Sequence, residues 1–153
     1  MQRPTRKIPF SPPDISEAEI QEVTETLRSG WITTGPRTKQ LERELAGWIG
    51  TEKCVCLSSQ TACAEMALRL LGIGKGDEVI VPAYTYTASA SVIDHVGAKI
   101  VMIDSQPDNL EMDYDAMEKA MVEQNVKMFL MCSPHNPAGR VWTAEELERV
   151  LDI

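Results

Sequence analysis

Three short segments of this sequence combine residue types that can bind a ligand. They are Leu57–Ala62, Val81–Thr87 and Cys132–Arg140, and each one follows a short apolar run. In open α/β sheets, ligands bind where the carboxyl ends of strands meet the N-termini of helices. The three segments are therefore candidates for parts of one binding site.

The first segment has the composition of an anion site. Gln60, Thr61 and Ala62 follow two serines at a predicted helix start. Small residues let backbone N–H groups point outward there, and the Thr61 hydroxyl adds a further donor, which is what a phosphate group requires. The alternative is an ordinary Ser/Thr helix cap, which needs no ligand.

The second segment offers aromatic rings at a strand-to-helix junction. Tyr84 or Tyr86 could lie flat on a planar heterocycle, and such stacking contributes about 0.5–1.5 kcal/mol beyond buried area. The alternative is that these rings pack a helix against the sheet. The spacing alone favours this packing.

The third segment presents an asparagine between two prolines. Pro134 and Pro137 flank Asn136 and restrict the backbone on both sides of it. An amide held in this way can donate a hydrogen bond to a ligand oxygen. The alternative is a proline-rich turn in which asparagine serves as a turn former.

The pattern of apolar residues predicts the elements that carry these segments. Residues 1–14 form an extended arm, and two helices follow, the first opened by a Ser16/Glu19 capping box and ended by Gly30, the second ended near Gly50. Strands and helices then alternate, which indicates an α/β domain with a mostly parallel sheet and helices on both faces. The predicted strands are Lys53–Leu57, Glu78–Val81, Lys99–Ile103 and Val126–Cys132, and the predicted helices are Thr61–Leu71, Thr85–Val96, Tyr114–Val122 and Ala144–Leu151.

The expected organisation is an N-terminal arm with helices over residues 1–50 and an α/β domain over residues 51–153. Because the pattern stops at Ile153, inside or just after a helix, we expect this domain to be incomplete. The alternative is a complete small α/β domain.

The composition of the chain argues against several classes of function. The chain has 153 residues, 43% of them hydrophobic and 25% charged, with a formal net charge of −8, which argues against a nucleic-acid-coating surface. No stretch approaches the length of a membrane span. The four cysteines and two histidines have no metal-site spacing, so we expect reduced thiols and a cytoplasmic protein.

Several motifs together resemble the DegT/DnrJ/EryC1/StrS sugar aminotransferases over roughly residues 8–106. The loop Trp31–Pro36 is similar to the family's W-(I/L)-T-x-G-P, and Ser58–Leu68, Gly72–Pro82 and Tyr86 follow in the family's order. The resemblance implies a large-domain fragment of the fold-type-I transferases that use pyridoxal phosphate (PLP), amino transfer to a keto-sugar nucleotide, and a homodimer.

The resemblance also implies roles for individual residues. Thr61 and Ala62 would hold the PLP phosphate, with Gln60 at the same turn, and Tyr86 would stack on the pyridine ring. Thr33, Thr34 and Gly35 would form a loop that contacts the substrate or a second subunit.

A second resemblance begins further along the chain. Met131–Trp142 is similar to the N-P-H-N-P-x-G-R-V segment of class I/II aminotransferases and related C–S lyases, in which the residue matching Asn136 hydrogen-bonds the phenolic oxygen of PLP. The chain therefore resembles a mosaic of two fold-type-I relatives, with the change between Ser105 and Lys127.

The residues that complete PLP chemistry are not recognised in this sequence. A PLP enzyme needs a Schiff-base lysine and an acidic partner for the pyridinium nitrogen, and both resembled families carry them further toward the C-terminus. We therefore expect a PLP-binding portion of an aminotransferase that is inactive by itself. The alternative is a non-catalytic α/β scaffold or dimerisation module. A Rossmann domain is excluded because no G-x-G-x-x-G follows a strand.

Overall fold

The computed structural model describes residues 9–108, 110 and 112–153. The chain divides into two compact units between Cys56 and Leu57. Most of the predicted N-terminal arm, residues 1–8, lies outside the described residues. The prediction of a PLP-binding domain over residues 51–153 stays a prediction.

The first unit contains two helices, α1 (Glu17–Arg28) and α2 (Pro36–Ile49). The predicted capping box opens α1, since the Ser16 hydroxyl accepts from the Ala18 N–H at 3.2 Å and Glu19 accepts from the Ser16 N–H at 2.6 Å. Pro36 occupies the first turn of α2, where its missing N–H costs nothing. Gly50 ends α2 with a φ of 83°.

The second unit is a parallel α/β unit. It contains helices α3 (Gln60–Leu70), α4 (Thr87–His95), α5 (Tyr114–Glu123) and α6 (Ala144–Asp152), and strands β1 (Glu78–Pro82), β2 (Lys99–Ile103) and β3 (Val126–Phe129). The strand order is β2-β1-β3, and both pairings are parallel, with Glu78 opposite Lys99 and Pro82 opposite Ile103. The predicted α/β class with a parallel sheet is confirmed.

Apolar residues cover the sheet on both faces. Ile80 of β1 packs with Met117 and Ala120 of α5 on one side. Val79 and Val81 point to the opposite face of the sheet, because side chains alternate along a strand. There they pack with residues of α3 and α4: Leu68, Val92 and Ile93. Burial of both faces explains the continuous apolar run in β1.

The predicted strand at Lys53–Leu57 is wrong. Residues 53–57 have no strand assignment, although Cys54 and Cys56 are partly buried and Val55 between them is exposed. A strand requires a neighbouring strand for its backbone groups, whereas here the Cys56 N–H donates to the carboxylate of Glu42 at 3.0 Å. The alternating pattern of this segment therefore reflects the burial of one side of an extended chain that is not paired with another strand.

The other elements match their predictions to within three residues at each end. The strand predicted over Val126–Cys132 ends at Phe129, and the helix predicted over Thr85–Val96 begins at Thr87. Among the described residues, no helix is both long and apolar enough to cross a bilayer.

Candidate functional site

All three candidate segments lie in the second unit, next to its helix starts and strand ends. Leu57–Ala62 leads into α3, Val81–Thr87 joins β1 to α4, and Cys132–Arg140 lies between β3 and α6.

The start of α3 has backbone donors that no protein group uses. Ser59 is the N-cap, and its hydroxyl accepts from the Ala62 N–H at 3.1 Å. Within the described residues, the N–H groups of Gln60 and Thr61 have no acceptor, as expected in the first helical turn. These two N–H groups, together with the half-buried Thr61 side chain, can bind an anion.

Tyr86 is an exposed aromatic ring at the start of α4. Its backbone occupies the N-cap position, and its side chain makes no capping hydrogen bond and is 59% exposed. Tyr84 is 42% exposed. Neither ring is fully buried, and the roles of Tyr84 and Tyr86 in stacking or in packing stay predictions.

Hydrogen bonds close the loop that contains Asn136. The His135 N–H donates to the Arg140 carbonyl, and the Gly139 N–H donates to the His135 carbonyl, both at 2.6 Å. The bonds before Pro134 and Pro137 are cis, and Gly139 has a φ of 70°, which favours glycine. Asn136 itself is exposed at the tip of this closed loop.

Trp142 anchors the same loop from its C-terminal side. The Trp142 indole donates to the Cys132 carbonyl at 2.9 Å, and its ring meets the His135 ring edge-on at 5.2 Å between centroids. The Arg140 guanidinium lies 4.8 Å from the Trp142 ring centroid and also pairs with Glu146. The closed loop is thus tied to the start of α6.

Two of the candidate segments meet through His135. The rings of Tyr84 and His135 are 6.4 Å apart between centroids, which brings the segment of Tyr86 close to the segment of Asn136. His135 is 2% exposed, and its Nδ1 is buried without a hydrogen-bond partner in the described part of the chain. His135 and Trp142 were not predicted as anchors of the loop, although the position of His135 directly after Pro134 was a usable signal.

The start of α3 is linked to these segments through helix packing. Leu68 of α3 and Val92 of α4 share one core on the same face of the sheet. The convergence of Gln60, Thr61 and Ala62 with Tyr86 and Asn136 around one ligand stays a prediction.

A pocket of about 240 Å³ lies beside α3, lined by Leu57, Ser58, Ala62, Glu65, Met66 and Arg69. Of the predicted cofactor residues, only Ala62 belongs to its lining. Hydrogen bonds from Arg69 and then from His95 hold the pKa of Glu65 below its ordinary value, so this carboxylate is charged at neutral pH. Arg69, which lines the same pocket, forms an ion pair with Glu65 at 2.8 Å and compensates its charge.

Thr33, Thr34 and Gly35 belong to the first unit. Thr33 and Thr34 are exposed, and the Thr34 carbonyl accepts from the Trp31 indole at 3.1 Å. Gly35 is buried as the N-cap residue of α2. The role of this loop in contacting substrate or a second subunit stays a prediction.

Comparison with known proteins finds relatives along most of the chain. The sequence model of the DegT/DnrJ/EryC1/StrS aminotransferase family matches residues 13–136. The chain is 41% identical over 121 residues to spore coat polysaccharide biosynthesis protein SpsC of Bacillus subtilis, covering 79% of this chain and 31% of SpsC. It is 42% identical over 117 residues to the UDP-4-amino-4-deoxy-L-arabinose–oxoglutarate aminotransferase of Shewanella sediminis, covering 76% and 30%.

A solved structure is similar over almost the whole chain. The PLP form of a protein described as a sugar aminotransferase from Streptococcus pneumoniae has a TM-score of 0.78 and 52% identity, covering 96% of this chain and 36% of that one. The chain thus spans about a third of the length of these relatives. The family match runs through residues 105–127, where the change of resemblance was predicted, and it ends at residue 136, inside the segment of the second resemblance.

Proposed function

Because this chain belongs to the DegT/DnrJ/EryC1/StrS aminotransferase family, we propose that it forms the cofactor-binding portion of a PLP-dependent enzyme that transfers an amino group to a keto-sugar nucleotide. When bound, PLP supplies the electron sink for such amino transfer. The observation that carries the proposal is the pair of unused N–H donors at Gln60 and Thr61.

The start of α3 is suited to the phosphate of PLP. The N–H groups of Gln60 and Thr61 and the Thr61 hydroxyl belong to the first turn of α3, at the positive end of the helix dipole, where an anion is stabilised by about 0.3–1 kcal/mol, and by more when water is excluded. The Ala62 N–H already donates to Ser59. Gln60 and Thr61 are therefore the stronger phosphate contacts. The contribution of Ala62 is its small side chain, which leaves room for the phosphate.

Tyr86 and Asn136 are suited to the ring of the cofactor. The exposed Tyr86 ring can stack on a pyridine face, and the Asn136 amide can donate to the phenolic oxygen at the ring edge. The contact between Tyr84 and His135 supports this pairing, since it holds the two segments together.

The proposal also includes a homodimeric assembly and a cytoplasmic location. A homodimer is supported by the exposed apolar side chains of the first unit, among them Val23, Leu27 and Trp48, which are 60%, 63% and 86% exposed. A cytoplasmic location is supported by the four cysteines, all in the described part of the chain, because no disulfide bond joins them.

The test is titration of the chain with PLP, followed by absorbance and by equilibrium dialysis. We expect saturable binding without transaminase turnover and without a lysine adduct after borohydride reduction. Thr61→Ala should weaken binding, whereas Thr26→Ala should not, because Thr26 is a half-buried helix residue of the first unit and serves as the matched control.

Two outcomes would contradict the proposal. Absence of saturable PLP binding, with dimers still detected by light scattering, would favour the alternative of a non-catalytic dimerisation module. Equal affinity in Thr61→Ala and wild type would remove the phosphate assignment.

A further inference from the structure

His135 is a buried histidine directly before the exposed Asn136. It is 2% exposed, and its Nδ1 has no hydrogen-bond partner among the residues that the structure describes. Burying a polar nitrogen without a partner costs free energy. The position of this ring therefore has a cause other than a hydrogen bond of Nδ1.

The ring of His135 contacts two aromatic rings from different segments. Trp142 meets it edge-on with 5.2 Å between the ring centroids, and Tyr84 lies at 6.4 Å with 50° between the ring planes. Both arrangements fall within the range of attractive aromatic pairs. His135 therefore joins the segment that follows β1 to the segment that precedes α6.

Trp142 gives this contact a fixed base. It is 4% exposed and belongs to the core that contains Ile80 and Met117. Its indole N–H donates to the Cys132 carbonyl at 2.9 Å. A side chain that is packed in a core and hydrogen-bonded has little freedom to move, so it holds the ring of His135 in one place.

The backbone of His135 closes the loop that presents Asn136. The His135 N–H donates to the Arg140 carbonyl, and its own carbonyl accepts from the Gly139 N–H, both at 2.6 Å. The side chain and the backbone of this one residue are thus held by different parts of the second unit. An anchor of this kind restricts the positions that the amide of the next residue, Asn136, can reach.

We propose that His135 is a positioning residue, whose ring holds the Asn136 amide in place for the phenolic oxygen of PLP. The ring acts through its contacts with Tyr84 and Trp142. Preorganisation raises affinity because less conformational freedom is lost when the ligand binds. This inference rests on the proposed function, in which Asn136 contacts the cofactor, and it adds a residue that acts through Asn136.

The first experiment measures hydrogen exchange of backbone N–H groups by NMR in the unliganded chain. His135→Ala should lose the protection of the Gly139 N–H, because the loop opens when its anchor is removed. His135→Phe keeps an aromatic ring and should retain this protection. The control is Val79→Ala, which removes core contacts near the start of β1 and should leave the exchange of the loop unchanged.

The second experiment is a double-mutant cycle read by PLP titration. His135→Ala should raise the Kd for PLP about two- to tenfold, which is the range that aromatic contacts contribute. In the background of Asn136→Ala the same change should have no further effect, because His135 acts through Asn136. His135→Phe and Val79→Ala should bind PLP like wild type. A general loss of structure would instead give additive losses.

Three results would overturn the inference: unchanged protection of the Gly139 N–H in His135→Ala, additive losses in the cycle, or a His135→Phe variant that behaves like His135→Ala. The exchange experiment needs no ligand, so it separates this inference from the proposed function. Lost protection in His135→Ala without PLP binding by wild type would contradict only the cofactor site. Normal PLP binding with unchanged protection would contradict only the role of His135.

Discussion

At the residue scale, the candidate cofactor site depends on groups that the protein leaves unsatisfied. The N–H groups of Gln60 and Thr61 have no acceptor among the described residues, and the side chain of Tyr86 is 59% exposed. The first N–H groups of a helix have no intrahelical partner, so an anion bound there can accept from them. The affinity for PLP should therefore respond to single side chains.

Replacing Tyr86 tests the stacking contact. We expect Tyr86→Ala to lose about 0.5–1.5 kcal/mol of PLP binding, which is roughly a two- to tenfold rise in Kd, because the ring is removed. Tyr86→Phe keeps the ring and should bind like wild type. Equal affinities of all three proteins, measured by absorbance titration, would exclude stacking on Tyr86.

At the element scale, the helices begin at sequence signals that act locally. Ser16 and Thr143 open α1 and α6 with capping boxes, and in both cases a glutamate follows three residues later in the sequence. Such signals need no tertiary partner. The helices were consequently predicted more reliably than the strand at Lys53–Leu57, which needed a neighbour that is not there.

The cap of α6 should be measurable in stability. Thr143→Ala removes the hydroxyl that accepts from the Glu146 N–H, and we expect it to cost about 0.5–2 kcal/mol of unfolding free energy. Thr143→Ser keeps the hydroxyl and is the matched control. Urea denaturation compares them, and an alanine variant as stable as the serine variant would show that the cap contributes nothing.

The cap of α1 should be sensitive to pH. Hydrogen bonds from the Ser16 side chain, and then from its backbone N–H, lower the pKa of Glu19 below its ordinary value of 4.5. Because the pKa of Glu19 is lower in the folded state, its ionised carboxylate stabilises the folded protein. This contribution is fully present above about pH 4.5 and is lost as the pH falls through the folded-state pKa. The stability difference between wild type and Glu19→Gln should therefore shrink on acidification. A difference that stays constant from pH 7 to pH 3 would contradict this.

At the scale of the whole molecule, the second unit depends on a sheet covered on both faces. Ile80 points to one core and Val79 to the other, and both are completely buried. Because each face has its own helices, neither core can compensate for a cavity in the other.

Mutations on the two faces of β1 test this arrangement. We expect Ile80→Ala to cost about 2–5 kcal/mol and Val79→Ala about 1.5–3 kcal/mol, since each leaves a cavity. Lys127→Ala, at an exposed position of β3, should change stability by less than about 0.5 kcal/mol. If one of the two core variants melted like wild type, the corresponding face would not be packed as described.

The sequence by itself determined the local features of this protein. Helix starts, glycine stops and the order of strands and helices follow from caps, φ preferences and periodicity, which act over a few residues. The motifs around Trp31, Gln60–Ala62 and Tyr86 were sufficient to identify the family, which the comparisons confirmed.

Only the tertiary structure decided which residues meet. It placed the ring of His135 against the rings of Tyr84 and Trp142, and it left residues 53–57 without strand pairing. These outcomes depend on contacts between residues that are distant in sequence. Short-range patterns carry no information about such contacts, because pairing and burial are settled only when the elements pack.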